Sequence, residues 1–158
     1  MKKGTIGILS GVAGMAIGTV AAGVPKNKKI AQWQNMSDKH LALFLMMNQW
    51  VKVRQEGKNL SEYFEKNNYK SIAIYGMSYA GETLVDELRN SDINIKYGVD
   101  RKAETIYSDV VVVSPEDELE EVDAVVVTSI TFFDEIETML EEKLDCPIIS
   151  LEDILYEI

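Results

Sequence analysis

The sequence predicts an α/β fold: a doubly wound parallel sheet of five strands, in the order 3-2-1-4-5, built from residues 59–158. Three observations predict it. From Lys70 onward, short apolar runs alternate with segments of helical periodicity. Three of those runs, "SIAIY", "VVVV" and "AVVVT", are apolar almost throughout, as parallel strands covered on both faces are. Ser71–Leu88, "SIAIYGMSYAGETLVDEL", reads as a strand, a tight glycine turn and a helix. Right-handed crossovers between such units give the stated strand order.

Ahead of this domain, residues 1–29 read as a membrane anchor with basic flanks. Thr5 to Val24, "TIGILSGVAGMAIGTVAAGV", carries no charge over 20 residues. As a helix it would be about 30 Å long, the thickness of a bilayer core. Gly7/Gly11 and Gly14/Gly18 are each four apart, and Gly4, Gly11 and Gly18 repeat every seven. That glycine zipper places small residues on one helix face, where a second copy or a membrane-protein partner can approach closely. The alternative is that glycine merely fills a weak span. Two other readings compete with the anchor: a cleaved signal peptide ending at Ala21-Ala22-Gly23, and a Gly/Ala-rich soluble arm. Lys2 and Lys3 on one flank against Lys26, Lys28 and Lys29 on the other favour a membrane-anchored chain with its domain cytoplasmic.

Residues 30–58 are expected to form an amphipathic connecting helix, capped by Ser37, starting at Asp38 and stopped at Gly57. Leu41, Phe44, Leu45, Met47 and Val51 follow helical spacing, with Trp50 beside them, so the helix needs a surface to pack on. His40 reads as a surface or boundary residue. Asn59 caps a short second helix, "LSEYFEKN".

The strands of the domain are expected at Ser71–Tyr75, Ile93–Val99, Val110–Val113, Ala124–Thr128 and Pro147–Ser150. The helices are expected at Gly81–Asn90, from Pro115, at Thr131–Leu144 and at Leu151–Tyr156. Pro115 is placed as the first residue of a short acidic helix, where proline is well tolerated.

The glycine turn is the candidate ligand site. In G-x-G-x-x-G the first glycine makes the turn, the second lets backbone approach a pyrophosphate, and the third lets helix pack on strand. Gly76 and Gly81 take the first and third roles, while Ser78 stands in the second. Its side chain costs clearance, but its hydroxyl is able to bond a phosphate oxygen. The helix start offers N–H groups from Met77, Ser78, Tyr79, Ala80 and Gly81 and a partial positive charge. Asp100, 24 residues after Gly76, stands where an acid meets ribose hydroxyls, and Arg101 and Lys102 follow it. Across the sheet's switch point, Thr128, Ser129 and Thr131 are able to bond a ligand. Phe132 or Phe133 would stack on a base or else belong to the core. The alternative reading is a turn built only for packing. A Tyr79 side chain plugging the mouth, or Asp100 turned away, would close the site.

"YFEKNNYKSIAIYGMSYAGETLVDEL", "KYGVD" and "DAVVVTSITFFDEI…CPIISLEDIL" resemble a group of small Rossmann-like proteins of Firmicutes. Genes of that group are associated with cell-surface polysaccharide and glycosyltransferase loci. The resemblance spans about Trp50 to Ile158, and it is stronger as an overall pattern than as a catalytic signature. It implies ligand contacts at Gly76, Met77, Ser78, Gly81 and Asp100, and a ligand of NAD(P), nucleotide-sugar or CoA type. Ser78 departs from the group's usual glycine.

Charge and chemistry narrow the function. Residues 1–70 carry 11 Lys and Arg against 4 Asp and Glu, net +7, and residues 71–158 carry 5 against 22, net −17. So acidic a domain does not suit nucleic acid, whose phosphates need Lys and Arg. One cysteine, Cys146, excludes an intramolecular disulfide, and one histidine, His40, leaves little for a His-based metal site or a Ser-His-Asp triad. No tyrosine is followed four residues later by lysine, the acid/base pair of sugar-modifying dehydratases and epimerases. No catalytic set is recognised. The expectations are therefore a membrane-tethered ligand-binding module or, alternatively, an interaction protein on a ligand-free scaffold.

Overall fold

The structure, a computed structural model, describes residues 31–158. The uncharged stretch 4–24, its basic flanks and the anchor expected there lie outside the described residues. Among the described residues, no helix is long and apolar enough to cross a membrane. Two units are distinguished, one ending at Leu41 and the other spanning Ala42–Ile158. In the first, residues 31–41 are helical, so Ser37 lies within a helix and does not cap one. The run "AQWQNM" before it carries no glycine or proline, so nothing stops helix from extending upstream of Ser37.

The second unit opens with helical residues 42–55 (α1), closed by Gly57 at φ +77°. There follow α2 (Ser61–Lys66), β1 (Ser71–Tyr75), α3 (Tyr79–Leu88), β2 (Asn94–Val99), β3 (Val112–Val113), β4 (Ala124–Val127), α4 (Phe133–Glu141), β5 (Ile148–Ser150) and α5 (Leu151–Glu157). The five strands form one parallel sheet in the order β3-β2-β1-β4-β5.

Alternation along the central strands divides the core in two. Ile72, Ile74, Ala124 and Val126 face one side, packed with Met46, Trp50 and Val53 of α1, Phe64 of α2, Leu84 and Leu88 of α3, and Ile154 and Leu155 of α5. Ala73, Tyr75, Val125 and Val127 face the other side, packed with Ile136 and Leu140 of α4. Burying each large aliphatic or aromatic side chain here contributes about 1.5–3 kcal/mol. The β1–β2 register skips one residue: Ile72 pairs with Ile95, but Ala73 pairs with Tyr97, so Lys96 bulges out.

One expected element is absent. Pro115 starts no helix; residues 115–117 turn, and the chain then runs irregularly to β4. Local side chains compete for its backbone: Ser114 N–H donates to Asp117 Oδ2 at 2.8 Å, and Glu116 N–H to Ser114 Oγ at 3.2 Å. A helix would also stack Glu116 on Glu120 and Asp117 on Glu121, like charges four apart. The segment is tied down instead by Tyr97 Oη–H to Glu120 O at 2.5 Å, Lys96 Nζ to Glu121 O at 3.1 Å and Lys143 Nζ to Pro115 O at 2.5 Å. Burial, above all, pushes the Tyr97 phenol up to about 12, so it stays a neutral donor.

Candidate functional site

The site lies at the C-terminal ends of β1, β2 and β4. There the chain has run outward through β2 and β3 and returned to start β4 on β1's other side. In open α/β sheets, such a reversal point is where ligands bind.

Gly76 leaves β1 at φ +97°, a conformation that L side chains rarely adopt. A Cβ there would also lie 2.5 Å from Ser129 Oγ and 2.6 Å from Thr128 Oγ1. Its N–H continues the ladder to Val99 O at 2.8 Å. Its carbonyl accepts the Thr128 hydroxyl at 2.5 Å. A Cβ on Gly81 would run into that same Gly76 carbonyl, so α3 approaches the turn as closely as backbone allows. Gly76 and Gly81 thus occupy the roles the spacing predicts.

Asp100 is turned toward the site. Its Oδ2 accepts the Met77 N–H at 3.0 Å and its Oδ1 the Lys102 N–H at 2.9 Å, so the end of β2 is laced to the glycine turn. Each oxygen keeps a lone pair for a ligand. Helix α3 begins at Tyr79, two residues before the expected start, with Ser78 as its N-cap at φ −84°, ψ −163°. The Ser78 hydroxyl makes no capping bond. Among the described residues, the N–H groups of Ser78, Tyr79, Ala80 and Gly81 have no protein acceptor. These are the orphan donors a helix start presents, with the positive end of its dipole behind them.

Around this start is a cleft of about 550 Å³, lined by Gly76, Met77, Ser78, Asp100, Arg101 and Lys102 with Ile106, Tyr75, Ser129, Phe132 and Ile136. Small-molecule sites typically enclose about 300–1,000 Å³. Tyr79 is 89% exposed and does not line the cleft, so it does not plug the mouth.

The other expected contacts divide. Ser129 lines the cleft, but Thr128 is buried and its hydroxyl is spent on the carbonyls of Gly76 and Tyr75, so it serves the turn. Ala80 is buried in the first core; the Met77 side chain is buried over Gly98 and its N–H is donated to Asp100, so Met77 has no donor left for a ligand. Phe132 lines the cleft while Phe133 packs into the second core. Thr131 makes no capping bond; a 3-10 turn, Ile130–Phe132, leads into α4 instead. Arg101 and Lys102 form no ion pair among the described residues. Cys146 packs at the edge of the second core, away from the cleft, and burial pushes its thiol up.

Sequence reasoning missed Tyr75, Ile106 and Ile136. A tyrosine closing an apolar strand reads as an ordinary strand former, and its place in a cleft wall depends on the turn that follows. Among the described residues, no cluster of three His, Cys, Asp or Glu is arranged to hold a metal ion. In comparisons with known proteins, no family model, no curated protein and no solved structure matches the chain.

Proposed function

We propose that the cleft binds a phosphate ester of the nucleotide class: a nucleotide, a nucleotide-sugar, NAD(P) or a CoA-type ligand. In this reading the chain is a membrane-tethered module, held through residues 4–24 with its domain cytoplasmic, accessory or regulatory to cell-surface glycan synthesis. One observation carries the binding: the start of α3, where four N–H groups have no protein acceptor, adjoins a cleft that Ser78 lines and Asp100 braces. Arg101 and Lys102 at its rim supply positive charge. The uncharged stretch 4–24 supports the tether, and the resemblance to Rossmann-like proteins of surface-polysaccharide loci supports the setting.

Thermal unfolding of the full chain with ADP, UDP, NAD and CoA tests this. A ligand at about a hundred times its Kd stabilises the native state by about 2.7 kcal/mol. A saturable rise with at least one compound, reduced in Asp100→Ala, is expected. No rise with any of them overturns the reading.

A second reading, an interaction protein assembling on a ligand-free scaffold, is favoured by Leu43, Phe44, Leu45 and Val51, which stay exposed on α1. Oligomers in detergent that disperse on Gly11→Leu and Gly14→Leu would support it, and a monomer insensitive to those changes would count against it.

A further inference from the structure

Tyr75 stands at the end of β1 and is only 4% exposed, yet its hydroxyl has no hydrogen-bond partner. A buried tyrosine hydroxyl normally finds one, and an orphan calls for a group the protein itself does not supply. On its face of the sheet Val99, Val127, Ile136 and Leu140 are apolar, and the hydroxyl of Tyr97 there is donated to Glu120 O. Tyr75 also lines the cleft, together with Ser129, Phe132 and Ile136.

The cleft has two sides. Asp100, Lys102 and Ile106 follow β2, on one side of β1; Ser129, Phe132 and Ile136 follow β4, on the other. The start of α3 lies between them in the chain's crossing from β1. We propose that Tyr75 is a specificity-determining residue, whose hydroxyl pairs with a polar head group carried beyond the ligand's phosphate, on the β4 side. The ligand is then a two-headed diphosphate ester, with a nucleoside toward Asp100 and a hydroxyl- or amide-bearing group toward Tyr75 and Ser129. A bare nucleoside diphosphate would leave the Tyr75 hydroxyl unmet. This inference rests on the reading of the cleft as a nucleotide site and adds which part of the ligand is recognised.

Equilibrium binding of two probe pairs to the full chain tests it: ADP against ADP-ribose, and UDP against UDP-glucose. Tyr75→Phe keeps the ring and deletes the hydroxyl. It should weaken a two-headed probe about tenfold, the worth of one good hydrogen bond, while leaving its bare partner within about twofold. Without ligand, Tyr75→Phe should melt at the same temperature as the parent chain or higher, since only an unpaired group is lost. Equal losses on both members of a pair, or no loss on the two-headed probe, overturn the role of Tyr75 while the nucleotide site stands. A lower melting temperature for unliganded Tyr75→Phe also overturns it, because the hydroxyl then has a partner within the protein. No binding of any probe to the parent chain overturns site and inference together.

Discussion

At the N-terminal ends of the strands, Asp123 accepts the N–H groups of Lys70 and Ser71 on a single oxygen, both at 2.8 Å. At the C-terminal ends, Asp100 spreads its two oxygens over Met77 and Lys102, at 3.0 and 2.9 Å. The chemistry is the same, a carboxylate taking two backbone amides, and the outcome differs. The Asp123 donors are consecutive residues, so one oxygen gathers them and stitches the start of β4 to the start of β1. The Asp100 donors belong to two separate turns, so the carboxylate becomes a strut between them. Helix α3 starts at that end, and its first N–H groups are left over. A sheet end is sealed or kept available according to whether its donors are neighbours or must be bridged.

Four substitutions bear on this contrast, in falling order of expected effect. Gly81→Ala should cost about 3 kcal/mol in denaturant unfolding, since its Cβ meets the Gly76 backbone carbonyl and backbone cannot step aside. A near-neutral result would mean that α3 does not press on the turn. Thr128→Val keeps shape but strips the Gly76 carbonyl of its donor, and should cost about 2 kcal/mol by the same measurement.

Asp123→Asn probes the sealed end through pH. The Ser71 and Lys70 N–H groups hold the Asp123 carboxyl below its usual value of 3.8. Its contribution is therefore present above about pH 4 and lost as pH falls through the lower native value. The stability gap between parent and Asp123→Asn should narrow on going from neutral pH to about pH 3. A gap that stays constant with pH would deny the amide pair its role. Tyr79→Ala, at a side chain exposed beside the cleft rather than in it, should change stability by less than about 0.5 kcal/mol.

The strand order and the glycine turn were legible in the sequence because both depend on local pattern. Four consecutive valines and the Gly76–Gly81 spacing mean much the same in any surroundings. Asp100 was legible for the same reason, as an acid at a strand's end. What was not legible depends on long-range pairing. Thr128 and Ser129 look alike in sequence, yet one is consumed by a carbonyl 52 positions earlier and the other lines the cleft. The segment that follows Pro115 is tied down by Lys143, Tyr97 and Lys96, all outside it. The unmet hydroxyl of Tyr75 is visible only once every neighbour has a position.

The bulge at Lys96 reaches further than its own strand. Ile95 points into the first core, whereas Tyr97 and Val99 point into the second, so the extra residue inverts the in–out count halfway along β2. Asp100, next in that count, falls on the side of Met77 because of it. Lys96 thus acts as a frameshift in side-chain parity: a regular ladder that paired Lys96 with Ala73 would carry every downstream residue to the opposite face and aim the Asp100 carboxylate at the wrong one.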